Sequence, residues 1–160
     1  MAKISLDRTD FKILHYLQNS GRLSNAELAE KVDLSPSPCL RRVKSLEQLG
    51  IIRRYAAIVD ARAVGLPINI FVNVSLHNQE RRSLEQFEAR VAGYEEVMEC
   101  YLMTGSFDYM LRIVVPDLES YEQFLAEKLT TTPGVSNIQS SFTLKQVVYK
   151  TELPLRSAGR

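Results

Sequence analysis

The chain has 160 residues, 45% of them hydrophobic and 24% charged, with 20 Lys plus Arg against 19 Asp plus Glu. This is the composition of a soluble globular protein and excludes a disordered tail. No run approaches the ~18 apolar residues needed to cross a bilayer, so no membrane partner is expected, and the first residues lack the apolar stretch of a secretory signal. Two cysteines, Cys39 and Cys100, are too few for a disulfide scaffold; free thiols in a reducing compartment, and hence a cytoplasmic location, are expected.

The charge is uneven. Residues 1–60 carry ten basic and seven acidic side chains, net +3, and residues 61–160 carry ten and twelve, net −2. The excess peaks between Arg41 and Arg54, a weak pointer to a polyanion for the basic part.

Three short helices are predicted there. The first starts at Asp7, with Leu6 and Phe11 spaced as a hydrophobic staple and Asp10 at the third position. Ile13, Leu14 and Leu17 form its apolar stripe, and Gly21 ends it. The second starts on Ser24-Asn25-Ala26-Glu27, a capping box, with Leu28, Ala29 and Val32 inward. The third starts at Ser35, with Pro36 and Pro38 at positions whose N–H groups have no helical partner, and stops at Gly50. Because Pro38 lacks an N–H, Ser35 can cap only Ser37. Only Asp33-Leu34-Ser35 separates the last two helices, so Asp33 must take the left-handed conformation of a helix-turn-helix.

At 100° per residue the third helix sorts into two faces. Cys39, Val43 and Leu46 cluster inward, with Leu40 flanking. Ser37, Arg41, Lys44, Ser45 and Gln48 lie opposite, without a carboxylate. Such a face suits double-stranded DNA: Arg reads guanine edges, and Ser or Gln meets bases or phosphates. Ser35, Ser37, Arg41, Arg42, Lys44 and Ser45 are the candidate contacts. Residues 51–60 read as a strand or short ribbon, a wing, from which Arg53 and Arg54 reach phosphates.

Residues 61–67, with Gly65 and Pro67, read as a linker. From Ile68 the chain alternates: Ile68, Ile70, Val72, Val74 and Leu76 on one face, Asn69, Phe71, Asn73, Ser75 and His77 on the other. A helix over 83–92, strands over 97–104 and 108–115, a helix striped by Leu118, Tyr121, Phe124, Leu125 and Leu129, and a long, bent last strand over 135–149 complete the series. The order β-α-β-β-α-β is ferredoxin-like. Both helices cover one sheet face, leaving Phe71, His77, Tyr101 and Met103 on the other; a second subunit is the simplest cover, so a homodimer is expected. The expected class is α+β: a winged helix-turn-helix domain over 1–60, a linker over 61–67, and a ferredoxin-like, oligomerising domain over 68–160.

Four separated stretches resemble one family, the leucine-responsive/asparagine-regulatory (Lrp/AsnC) transcriptional regulators. They are Leu6-Asp7-Arg8-Thr9-Asp10, Leu34-Ser35-Pro36-Ser37-Pro38-Cys39-Leu40-Arg41-Arg42-Val43, Gly50-Ile51-Ile52, and Glu99-Cys100-Tyr101-Leu102-Met103-Thr104-Gly105-Ser106-Phe107-Asp108-Tyr109. The resemblance runs from about Leu6 to Leu153; Asp33 stands where the family turn usually has glycine. It implies a winged helix-turn-helix and a C-terminal RAM-type domain that binds amino acids and assembles dimers into octamers. It implies an effector site where dimers meet, at Leu102, Thr104, Gly105, Ser106, Phe107 and Asp108, with Ser140, Phe142, Thr143 and Leu144 influencing the response. The residues suit that role: Gly105 permits close backbone approach, Asp108 can pair with an α-ammonium group, and turn N–H groups can take the carboxylate. Leucine or methionine is the expected effector. Taken alone, without the family, residues 105–108 read as just a hairpin turn.

Enzyme chemistry has little support. His15 and His77 stand alone, no H-x₃-H or C-x₂-C spacing occurs, and no G-x-S-x-G, G-x-G-x-x-G or Walker sequence is present. Cys39 and Cys100 read as packed residues, and Glu95-Glu96 as solvated; no cofactor or metal is expected. The expectation is thus a sequence-specific transcriptional regulator responding to an amino acid. An architectural DNA-binding protein without an effector, and a small-ligand enzyme or sensor, are the alternatives.

Overall fold

The helix starts are made by local hydrogen bonds. The computed structural model describes residues 5–155, and its contacts separate two units, one running to Ile58 and resuming at Val148, the other Val59–Val147. In the first, α1 (Arg8–Asn19) is capped by Asp7, whose side chain accepts from the Asp10 N–H while the Asp10 side chain accepts from the Asp7 N–H. The same reciprocal pair joins Ser24 and Glu27 at the start of α2 (Asn25–Lys31). The third helix, α3 (Pro36–Gln48), has no side-chain cap: Ser35 makes none. Asp33 adopts φ 59° in the turn before it, and its carboxylate meets the Lys12 Nζ at 2.9 Å. The chain leaves α3 through Gly50 at φ +69°, and the Ile51 and Ile52 N–H groups both donate to the Leu46 carbonyl. Ile13, Leu28, Ala29, Val32, Cys39 and Leu46 are buried where the three helices meet.

One expectation about this unit is corrected. The predicted wing strand over 51–60 is absent: after a bend at Ile51 and Ile52, residues 53–60 lie exposed without strand pairing. β-branched text becomes a strand only against a partner ladder, and no described segment supplies one. By its contacts the chain from Val148 onward groups with the helices of the first unit. The Leu153 N–H donates to the Gln18 Oε1 at 2.7 Å, the Gln18 Nε2 donates back to the Leu153 carbonyl at 3.3 Å, and Glu152 accepts from Asn19 at 2.9 Å. Leu155 packs against the helical core.

The second unit is one antiparallel sheet in the order β2-β3-β1-β4 with its helices on one face. Its elements are β1 (Ile68–Leu76), α4 (Arg81–Val91), β2 (Val97–Leu102), β3 (Tyr109–Val115), α5 (Leu118–Phe124) and β4 (Val135–Phe142). The alternation predicted for β1 is the observed burial: Ile70, Val72, Val74 and Leu76 are buried beside Leu111, Ile113 and Val115 of β3. Phe87 and Val91 of α4, and Tyr121 and Phe124 of α5, close this core. After α5 the helix widens into a π-helical turn (Leu125–Leu129), with the Thr130 N–H bonded back to the Leu125 carbonyl.

The last strand is shorter than predicted, ending at Phe142 rather than Tyr149. Its partner runs out: Ile70 pairs with Phe142, the Thr143 N–H reaches the Asn69 carbonyl, and Pro67 precedes β1 without an N–H. Leu144 beyond it is exposed.

Candidate functional site

The burial of Cys39 and Leu46 fixes the rotation of α3 about its axis. Ser37, Arg41, Lys44, Ser45 and Gln48 are thereby all exposed on one face, as are Ser35 ahead of the helix and Arg53 and Arg54 beyond it. Glu47, the one acid of α3, accepts from the Tyr55 hydroxyl at 3.0 Å. Burial, then this carboxylate, push the phenol up to about 12. Arg41 and Lys44 make no ion pair among the described residues.

Arg42 stands apart from the other predicted contacts. Its Nη1 lies 2.7 Å from Asp7 and 2.8 Å from Asp10, pinning α3 to the start of α1. The Asp10 backbone N–H, with help from Arg42, holds the Asp7 carboxyl below its ordinary range. Sequence reasoning missed this because the pair joins residues more than thirty positions apart.

In the second unit the 103–108 turn is closed by the Met103 N–H on the Asp108 carbonyl at 2.8 Å. Thr104, Gly105 and Ser106 are exposed, as is Leu102, and Phe107 is half-buried. Gly105 adopts φ +133°, and no atom lies within 4 Å of where its Cβ would be, so its backbone is open to approach. Asp108 is buried; its Oδ2 accepts from the Leu76 N–H at 2.7 Å and its Oδ1 from the Gln79 side chain at 2.6 Å. Gln79, in the loop between β1 and α4, is a residue the sequence did not single out; nothing in its local pattern marks it.

Ser140 and Phe142 are not brought to this turn. They lie on β4, separated from β2 by β3 and β1, where Ser140 bonds the Tyr121 hydroxyl and Phe142 packs edge-on to the Tyr121 ring. One chain therefore presents two separate patches.

Neither cysteine is poised for chemistry. Burial raises the Cys39 thiol; Cys100 is exposed on the edge strand β2 and not packed as expected, and partial desolvation with the nearby Glu88 pushes its thiol up to about 11. Among the described residues no three His, Cys, Asp or Glu side chains gather as a metal site, and no helix is long and apolar enough to cross a membrane.

Comparison with known proteins bears on both units. Residues 6–53 match the winged helix-turn-helix DNA-binding model, and residues 69–153 match the Lrp/AsnC ligand binding domain. The Bkd operon transcriptional regulator of Pseudomonas aeruginosa is 47% identical over 150 residues, covering 94% of this chain and 98% of that protein. The leucine-responsive regulatory protein of Rhizobium meliloti is 40% identical over 147 residues, covering 92% and 94%. A Neisseria meningitidis transcriptional regulator, solved as its L-Met complex, superposes with a TM-score of 0.88 at 44% identity, covering 94% and 97%. The fold and these matches define a DNA-binding transcriptional regulator with a ligand-binding domain, not an enzyme. The chain belongs to the Lrp/AsnC family.

Proposed function

We propose that this regulator reads a DNA major groove with Ser37, Arg41, Lys44 and Ser45, while Ser35, Arg53 and Arg54 meet phosphates. The observation that carries this is the exposed face of α3, which bears no carboxylate and whose arginine and lysine are unpaired among the described residues. Arg42, bonded to two aspartates, is assigned instead to holding α3 in place. Fluorescence anisotropy at fixed salt tests the assignment: Arg41→Ala relaxes sequence preference, whereas Arg54→Ala weakens all sequences alike and flattens the salt dependence. Unchanged affinity and preference in Arg41→Ala would remove α3 as the reader.

The effector is methionine or leucine, bound in the cytoplasm at the 102–108 turn. Its carboxylate takes turn N–H groups near Gly105 and Ser106, and its ammonium meets Asp108. Leu102, exposed beside the turn, offers an apolar wall. Ser140 and Phe142 lie on β4, across β1 from the start of β3 in the same chain, and a second copy brings its own pair to the turn in a site between dimers. The open sheet face, with Phe71, Tyr101, Met110 and the ion pair of Arg112 with Glu99, serves the homodimer, and dimers assemble to an octamer. Light scattering on the full chain tests assembly; a monomer at micromolar concentration would refute it. Calorimetry with methionine and leucine tests the site. Asp108→Asn is the cleaner variant, because Asp108→Ala also strips the Leu76 N–H of its acceptor.

A further inference from the structure

The Asp108 carboxylate is held in an unusual way for a nearly buried acid. Its two oxygens accept from two different elements, the end of β1 through the Leu76 N–H and the following loop through the Gln79 amide. Both donors are neutral. Among the described residues no Lys, Arg or His comes within ion-pair distance of it. Buried carboxylates are ordinarily paired with a cation; among the described residues this one has only neutral donors. An ionised carboxylate has about four acceptor positions; the two donors take one on each oxygen and leave the others for a third group.

The two donors do different work. The Leu76 N–H fixes one oxygen, but the carboxylate plane can still rotate about the Cβ–Cγ bond. The Gln79 amide fixes the second oxygen and with it the plane. Gln79 itself is exposed, sits outside any helix or strand, and has Asp108 as its one side-chain partner among the described hydrogen bonds. Little of the core rests on it.

We infer that Gln79 is a positioning residue for the effector: by holding Asp108 in one orientation without neutralising it, Gln79 sets the direction in which the carboxylate meets the ligand's ammonium group. This rests on the effector reading above and adds a loop to the site that neither the turn nor the last strand contains. Gln79 touches the ligand only through Asp108. Its loss acts on recognition of the ammonium group and leaves the grip on the ligand's carboxylate and side chain in place.

The experiment compares methionine with its desamino analogue, methylthiobutanoate, by calorimetry on the full-length wild type and on Gln79→Met, which keeps side-chain length and deletes the amide. Wild type prefers methionine by about tenfold or more, the size of one charge-assisted hydrogen bond. In Gln79→Met that preference shrinks several-fold because methionine binds more weakly, while the analogue's affinity stays where it was. A general loosening of the turn would weaken both ligands alike and would overturn the inference. So would a preference kept or increased in Gln79→Met, with the effector reading left standing. If wild type binds neither compound, or both equally, the effector reading itself fails and the inference with it.

Discussion

The two units are stabilised at different distances along the chain. In the DNA-binding unit the ends of α1 and α2 are made by side chains bonding backbone three residues away, and the three helices follow one another within about forty residues. In the ligand unit β1 sits between β3 and β4, and pairs such as Ile70 with Ile113 and with Phe142 join distant parts of the sequence. The first unit thus joins locally specified helices over a small shared core, with a few cross-helix pins. The second depends on a core assembled from distant strands and helices. That contrast extends to the candidate sites: the DNA-reading face lies along one helix, whereas the effector turn relies on a carboxylate bonded to residues about thirty positions earlier.

The largest expected effect lies in the ligand unit. Phe87 is fully buried and packs at a tilt of 36° against Tyr109 with ring centroids 4.5 Å apart. Phe87→Ala should cost about 3–5 kcal/mol in denaturant unfolding, and a loss well under that range would mean this core is not assembled as described. Next in size is a contrast between neighbours. Arg41→Ala should remove ~1–3 kcal/mol of sequence discrimination at an unchanged thermal midpoint. Arg42→Ala, which frees Asp7 and Asp10, should lower the midpoint instead; the reverse pattern would exchange the roles assigned to the two arginines.

A smaller effect is expected from a chain stopped after Tyr149, which deletes the Glu152 and Leu153 bonds to Asn19 and Gln18. Each is worth about 0.5–1.5 kcal/mol, so hydrogen exchange should accelerate through the second half of α1. Equal protection with and without the tail would detach it from the helical unit. The smallest concerns acid. Asp7 is held below its ordinary 3.8, first by the Asp10 N–H, and Glu27 below 4.5, first by the Ser24 hydroxyl. Carboxyls lowered in the folded state stabilise it above their ordinary values, and that contribution disappears as pH falls through the lowered ones. Circular dichroism between pH 5 and 2 should therefore show a shallower acid transition in Asp7→Asn than in wild type.

Much of the first unit was legible because its signals are local. Asp7 and Asp10, Ser24 and Glu27, and Pro36 mark their helices at fixed short spacings, and the period of α3 alone assigned Cys39 and Leu46 inward and Arg41 and Lys44 outward. The alternation of 68–76 likewise placed Ile70, Val72 and Val74 in the core. The errors fall where a residue's fate depends on a distant partner. The 51–60 stretch and the chain after Phe142 have strand-forming residues, but a strand also needs a neighbour to pair with, and among the described residues none pairs with them.

Sequence by itself determined the helix starts, the strand faces and the type of residue offered to a DNA groove, because caps and periodicities act over three or four residues. Tertiary structure decided which charges remained available. Arg41 and Arg42 are adjacent and chemically the same, and only the approach of α1 commits one of them to Asp7 and Asp10. Asp108 and Gln79 meet because β1 lies beside β3. Pairing energies depend on distances of a few ångströms, and those distances exist only once the chain has folded.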